Sequence, residues 1–476
     1  MNAAVAPVAA ASPAAALDAA LLARMDRPGP RYTSYPTADR FDTGFGSDAL
    51  RQALAARRDG PDARAPLSLY VHVPFCASVC YYCACNKVVT KDRRKIEPYL
   101  AALREELRRV HGALGGAGGV SPPVSQLHFG GGTPTYLDDD DLAALMDDLR
   151  ACFSFTGDSE CSIEVDPRTV SAARLARLQA MGFNRLSFGV QDFDPDVQAA
   201  VHRVQPQAEV EALVAAARAL GFVSINVDLI YGLPRQTAVS FARTVEAVAR
   251  LRPDRIAMYG YAHLPERFKP QRRIVDAELP QGGDRLGMLG GAIAGFLAAG
   301  YDHIGMDHFA LPEDALAQAK RAGRLHRNFQ GYSTRPDCDL VALGVSAISR
   351  IGRTYSQNPK TLDGYYAALE QGTLPVERGL VLSDDDQLRR AVIMAIMCDG
   401  RLDAAAFGEA HGVAFQEVFA AEWQALAGLE QEGLVRCTPS SFEVTETGWY
   451  FVRAIAMVFD RYLQAAAPSR RFSRVV

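Results

Sequence analysis

Four cysteines crowd into FCASVCYYCACN: Cys76, Cys80, Cys83 and Cys85. The first three stand at CxxxCxxC, a spacing that lets one short loop wrap a small object with three thiolates. Thiolates are soft ligands suited to iron–sulfur clusters or zinc. A zinc site would normally take a fourth ligand from a second CxxC or a His pair, and neither stands at a matching spacing. Three ligands on a four-iron cluster leave one iron open, a position that a small chelating molecule can fill. Cys152, Cys161, Cys338, Cys398 and Cys437 are scattered singly and read as small buried hydrophobes, not as a disulfide framework.

Other candidates lie at the ends of β-like segments. In HFGGGTPT the run Gly130, Gly131 and Gly132 follows a predicted strand, and glycine lets a backbone approach a ligand with no Cβ in the way. Glu164 in EVDP, Gln191 in GVQDF and Asp228 in DLIYGLP sit where a polar side chain can meet ribose hydroxyls or an ammonium group. Singly each is explained by a turn or a cap; as a set they point to a cofactor.

These residues need a scaffold, and the chain supplies a repeated one. LSLYVHVPF, SQLHFGGGTP, CSIEVDP, RLSFGVQDF, SINVDLIYGLP and RIAMYGYAH read as strands, separated by helical patterns such as DLAALMDDLRACF and FARTVEAVARLRP. Repeated strand-then-helix units imply parallel strands joined by helical crossovers. Tyr70 and His72, Glu164 and Asp166, Ser187, Gly189 and Gln191, and Asn226 and Asp228 fall at alternate positions, hence on one strand face. Polar groups converging near the C-terminal strand ends favour a barrel-like sheet over an open doubly wound one.

A length of 476 residues suggests one large domain with appendages. A formal charge of -4 and the lack of an apolar run of roughly 20 residues argue against nucleic acid and membrane as partners. The Ala-rich residues 1–27 read as a disordered extension rather than a signal peptide, and the cysteine usage suits a reducing cytoplasm. The Pro-rich start RPGPRYTSYPTADRF must lie against something else to be ordered. After about residue 375 the helix, turn, short hairpin and helix order resembles a winged helix, but acidic residues mixed among its arginines leave no basic stripe for DNA.

The cysteine loop, with Tyr82 before the last ligand, resembles that of the radical S-adenosylmethionine enzymes, whose partial (βα) barrel matches the alternation. Across the chain, PRYTSYPTA, YVHVPFCASVCYYCACNK, LHFGGGTPTYL, SIEVDPR, LSFGVQDF, VHRVQ, DLIYGLP, YAHLP, GMDHFA, LHRNFQGY, GVSAIS and FSRV resemble the oxygen-independent coproporphyrinogen III oxidases from about Pro28 to the C-terminus. The resemblance implies an α/β fold: a (βα)6-type barrel and its extension over residues 67–375, an N-terminal lid segment over 28–66, and a mainly helical, winged-helix-like domain over 376–476.

It implies oxidative decarboxylation of two propionates of coproporphyrinogen III to vinyl groups through a 5′-deoxyadenosyl radical. It further implies a [4Fe-4S] cluster on Cys76, Cys80 and Cys83, and two S-adenosylmethionine molecules. The first would meet Tyr70, Gly131, Glu164 and Ile348; the second Tyr82, Gly132, Thr133, Gln191, Arg203, Asp228 and Ala262. Tyr70, His72, Cys85, Glu164 and Gln330 would serve the chemistry, and Arg31, Arg272, Arg273 and Arg327 are candidates for the substrate's carboxylates. A flavodoxin-type electron donor, an unidentified electron acceptor and a cytoplasmic monomer complete the expectation. Two other classes compete. A haem-binding chaperone of the same superfamily branch usually lacks the fourth cysteine and the long leader, and an iron–sulfur regulator with a winged helix would need a basic face.

Overall fold

The computed structural model describes residues 19–25, 27–116, 122–335, 338–464 and 474. Its centre is six parallel strands: β1 (Leu67–Val73), β2 (Pro123–Gly131), β3 (Ser154–Val165), β4 (Arg185–Gln191), β5 (Ser224–Tyr231) and β6 (Arg255–Gly260). Each is hydrogen-bonded to the next in chain order. The crossovers contain α1 (Ile96–Ala113), α2 (Asp139–Cys152), α3 (Ala172–Ala180), α4 (Gln207–Ala219) and α5 (Ala238–Leu251). A doubly wound sheet reverses its strand order part-way. These six never do, so crossovers of one hand put all the helices on one face, and the sheet curls around the other as a partial barrel.

The two-residue period of a strand separates the faces. Leu69, Val71, Phe129, Ile163, Phe188, Val227 and Ile256 are fully buried on the outer face. They pack with Leu103 and Leu107 of α1, Leu145 of α2, Val214 of α4 and Phe241 of α5 in one core. The helices start where side chains can satisfy free N–H groups. Asp138 caps α2, Ser171 caps α3, and Thr237 with Ser240 forms a capping box on α5. The inner face is left to polar residues.

The sheet continues beyond the barrel unit. Asp339–Leu343 runs parallel beside β1, followed outward by antiparallel Ile348–Ile351, Thr354–Gln357 and Arg378–Val381. Asp302–Gly305 and His308–Ala310 extend the edge beyond β6. Strands this short show no readable periodicity in sequence.

The C-terminal helices Asp384–Asp399, Ala404–His411 and Ala420–Gln431 pack with a three-stranded antiparallel sheet made of Arg401–Asp403, Ser441–Val444 and Val435–Cys437. Ile393, Ile396, Leu426, Phe442 and Phe459 form its core, and Tyr32 and Tyr35 of the leader are part of it. Residues 1–18 of the expected disordered extension, like most of the terminal FSRV, lie outside the described residues. Ala19–Met25 is ordered: good helix formers gain a tertiary partner there, since Leu21 is buried in the same core and Arg24 pairs with Glu432 at 2.6 Å. Among the described residues no helix is long and apolar enough to cross a membrane.

Candidate active site

The cysteine loop leaves β1 and is pinned at both ends. Phe75–Cys76 pairs with Val88–Val89, and the Tyr81 N–H donates to the Val201 carbonyl at 3.0 Å. Cys76, Cys80 and Cys83 line a cavity of about 250 Å3. Thr133 Oγ1 donates to Cys76 Sγ (3.4 Å), and Arg203 Nη1 to Cys80 Sγ (3.4 Å). Arg168 Nη2 stands 3.7 Å from Cys80 Sγ, and Lys87 Nζ donates to the Cys83 carbonyl at 3.0 Å. Asp166 holds both arginines, at 2.7 and 3.1 Å. A hydrogen bond from Cys85, then Lys87, brings the Cys83 thiol down to about 6, whereas burial pushes Cys76 up to about 11.

Among the described residues no three His, Cys, Asp or Glu side chains converge on a point as a single metal ion requires. Three sulfurs spread along one wall, with two guanidiniums and an ammonium beside them, fit a wider anionic group held through thiolates.

The glycine run turns back beneath this loop. A Cβ on Gly131 (φ +114°) would stand 2.6 Å from His72 Cε1, and one on Gly132 would stand 2.5 Å from the Pro74 carbonyl oxygen. The neighbours that exclude a side chain are therefore parts of the chain itself, and the same packing turns the Gly131 N–H onto Glu164 Oε2 at 3.2 Å.

Inside the barrel, register brings the inward residues into contact. Tyr70 lies opposite His128 across β1 and β2, and their rings stack at 5.9 Å. Tyr70 Oη bonds His72 Nδ1 (3.0 Å), and His72 Nε2 bonds the Asn86 carbonyl (3.0 Å). Burial keeps His72 below its usual pKa. His128 bridges Ser162 Oγ (2.6 Å) and Glu164 Oε1 (3.4 Å). Burial would raise Glu164, but His128 and the Gly131 N–H hold it below its ordinary value. Asp228 accepts from Ser187 Oγ and Asn226 Nδ2, both at 2.9 Å. Burial and the nearby Glu164 charge push Asp228 up to about 6.

The sequence-derived candidates sort into three adjoining spaces. Tyr82, Gly131, Gly132, Thr133, Glu164, Gln191, Arg203 and Asp228 share the cysteine-lined cavity, with Cys85 at its edge. Tyr70, His72, Gln330 and Ile348 line a second cavity of about 380 Å3, and Cys85, Gly131, Glu164 and Tyr259 line both. Ala262 faces a third, of about 230 Å3. It is tied to the loop by buried Gln271, whose Nε2 donates to the carbonyls of Ala262 (3.1 Å) and Tyr82 (3.0 Å).

Of the four arginine candidates, Arg31 and Arg327 adjoin, while Arg272 and Arg273 are exposed on the turn Lys269–Arg273. Sequence reasoning missed His128 and Tyr259, although both fall on the inward period of their strands. Arg168 and Lys87 stand in the motifs SIEVDPR and CYYCACNK without a role of their own there, and Gln271 carries no sequence signal, because each acts through a fold contact.

The radical SAM superfamily profile matches residues 70–248, and the HemN C-terminal domain profile matches residues 382–451. An oxygen-independent coproporphyrinogen III oxidase of Pseudomonas aeruginosa is 50% identical over 461 residues, covering 96% of this chain and 98% of that protein. The Escherichia coli K12 protein of that name is 48% identical over 459 residues, covering 96% and 98%. The solved structure of the coproporphyrinogen III oxidase HemN from Escherichia coli, described as a radical SAM enzyme, superposes with a TM-score of 0.86 at 48% identity, covering 91% of this chain and 97% of that one. The chain belongs to the oxygen-independent coproporphyrinogen III oxidase family. Membership of this radical SAM family implies a [4Fe-4S] cluster and S-adenosylmethionine, and the cysteine wall of the first cavity fits the cluster.

Proposed function

We propose that this chain oxidatively decarboxylates two propionates of coproporphyrinogen III to vinyl groups, giving protoporphyrinogen IX without oxygen. One observation carries the reading: the cysteine-lined cavity and the cavity walled by Tyr70, His72, Gln330 and Ile348 meet along Cys85, Gly131, Glu164 and Tyr259, so the cluster loop opens onto a second space that shares its wall. Cys76, Cys80 and Cys83 would hold the [4Fe-4S] cluster, which would supply the electron for reductive cleavage of S-adenosylmethionine to methionine and a 5′-deoxyadenosyl radical. Each propionate would give up a β-hydrogen to that radical, then carbon dioxide, and one electron to an external acceptor.

We assign Tyr70, Gly131, Glu164 and Ile348 to one S-adenosylmethionine, where ionised Glu164 accepts from hydroxyl or ammonium donors. Tyr82, Gly132, Thr133, Gln191, Arg203, Asp228 and Ala262 go to a second molecule. The Tyr70–His72 pair is fixed to Asn86 and positions the wall. Gln330 Oε1 is buried without a hydrogen-bond partner, which suits it to accept from a pyrrole N–H. Cys85 brings a free thiol to the boundary of both spaces. The leader, residues 28–66, and the C-terminal domain, residues 376–476, act as lids that exclude water from a radical site. A cytoplasmic monomer served by a flavodoxin-type donor and an external electron acceptor completes the proposal.

The test is anaerobic incubation of reconstituted protein with S-adenosylmethionine, a reductant, an electron acceptor and coproporphyrinogen III. Protoporphyrinogen IX is the expected product. Tight haem binding without turnover would overturn the reading in favour of a haem-carrying relative.

A further inference from the structure

At the C-terminal ends of β5 and β6 the third cavity is enclosed by barrel, leader and C-terminal domain together. Among the described residues, Arg31, Arg285, Arg453 and Arg474 line it, with Asp307 as the one carboxylate. Asp307 is already taken by Arg31, at 2.6 and 2.9 Å. Arg285 donates to the Tyr261 carbonyl at 3.1 Å and has no carboxylate partner among the described residues. Arg453, 5% exposed, is turned onto main-chain carbonyls of Gly29, Pro30 and Arg474. Behind them Arg327, 4% exposed, donates to the Arg31 carbonyl at 3.2 Å, and its Nη1 is buried without a partner.

A guanidinium without a carboxylate, as at Arg285, and a buried one with an unpartnered nitrogen, as at Arg327, are unfavourable unless an anion arrives to join them. Burial and Arg31 accordingly pull the Arg453 guanidinium down to about 9. The guanidinium fork matches a carboxylate, and the chemistry of the reaction offers two kinds. S-adenosylmethionine brings one carboxylate together with an ammonium and a sulfonium, so its net charge is positive and the arginines favour it less than a polycarboxylate, although Ala262, assigned above to the second S-adenosylmethionine, lines the same cavity. Coproporphyrinogen III is a tetracarboxylate with no cation. The cavity is also next to the reaction space: Arg31 lies over the Tyr259 ring, 5.0 Å from its centre, and Tyr259 lines both the cysteine cavity and the Tyr70 cavity.

We propose that this arginine-lined cavity anchors propionate carboxylates of the substrate other than the one reacting, with Arg285 as the available guanidinium and Arg31 delivered by the leader. The proposal rests on coproporphyrinogen III being the substrate. It also couples binding to closure. Pro28 of the leader bridges Arg474 near the C-terminus, and Arg453 holds carbonyls from both, so the two ends of the chain meet over the bound anion.

The test compares wild type, Arg285→Gln and Arg285→Lys as reconstituted holoenzymes. Binding of coproporphyrin III, the oxidised tetracarboxylate, is followed by fluorescence over a salt series, S-adenosylmethionine binding by equilibrium dialysis, and kcat and KM are measured with coproporphyrinogen III. Arg285→Gln should weaken the porphyrin about 10–100-fold, flatten its salt dependence and raise KM by a similar factor. Iron content and S-adenosylmethionine binding should stay at wild-type levels, and Arg285→Lys should recover part of the loss. Arg31→Gln should move porphyrin binding the same way and serves if Arg285→Gln does not fold. Wild-type porphyrin affinity in both Gln variants would overturn the proposal, as would loss of S-adenosylmethionine binding with porphyrin affinity intact. No turnover by wild type would count against the proposed function, and the porphyrin titration would still decide the subsite.

Discussion

Arg203 touches the Cys80 sulfur, Nη1 to Sγ at 3.4 Å, and the same nitrogen is held by Asp166 at 3.1 Å. A guanidinium fixed against a thiolate stabilises an added electron on whatever that thiolate binds, because both the hydrogen bond and the positive charge act on the sulfur. Arg203→Ala removes no iron ligand, so iron and sulfide content should match wild type. Its reduction potential, read by an anaerobic titration followed by electron paramagnetic resonance, should move negative, and S-adenosylmethionine stoichiometry should fall. An unmoved potential together with full stoichiometry would reduce the contact to packing.

The four cysteines should separate into two kinds. Cys76→Ala, Cys80→Ala or Cys83→Ala each removes one of only three assigned thiolates and should abolish the visible cluster absorption on reconstitution. Cys85 stands at the edge shared by both cavities. Cys85→Ser should retain cluster absorption yet lose most decarboxylation. Loss of the cluster in Cys85→Ser would make it a ligand, and wild-type turnover would make it a wall residue only.

The barrel was legible because β1 to β6 obey a two-residue period with opposite chemistry on their faces. Leu69 and Val71 face the helices while Tyr70 and His72 face the lumen. The cysteine loop was legible because its cysteines are local in sequence. Gln330 and Ile348 were reached only through resemblance, since they sit on strands and turns too short for any periodicity. The arginine cavity was invisible for another reason: Arg31, Arg285 and Arg453 come from the leader, the helix Gly282–Ala298 that follows β6, and the C-terminal domain. Of the arginines chosen from sequence, Arg272 spends its Nε on the Pro265 carbonyl and Arg273 lies over Tyr81.

Asp228 trades stability for binding. Its carboxyl, ordinarily near 3.8, is pushed up to about 6 by burial and by Glu164. Stability linked to this group is present below about pH 4 and lost as pH rises through 6, because the folded state disfavours the charge. Asp228→Asn should therefore stabilise the cluster-free protein at pH 7.5 by about 1–3 kcal/mol in denaturant melts, and by nearly nothing at pH 4. It should also weaken binding of the S-adenosylmethionine proposed to meet it. Equal stabilisation at both pH values would show that charge is not the cause.

Glu106 makes the same physics structural. On α1 and 2% exposed, it accepts from the Gly344 N–H (2.7 Å), Asn358 Nδ2 (2.6 Å) and Tyr365 Oη (2.6 Å). Gly344 and Asn358 flank the turn that delivers Ile348 to the second cavity, so one carboxylate on the helical side holds a wall of the lumen. Burial pushes it up to about 7, while Tyr365, Gly344 and Asn358 oppose the rise. With the folded value above the ordinary 4.5, its contribution is full below about pH 4.5 and lost as pH rises through 7. Glu106→Gln should flatten the fall in stability between pH 5.5 and 8.5 that wild type shows. Glu106→Ala strands three donors in the interior and should cost at least about 2 kcal/mol at any pH, with weaker S-adenosylmethionine binding and intact cluster ligands. A Glu106→Gln variant that keeps the full wild-type slope would place the titration elsewhere, since no other group is changed.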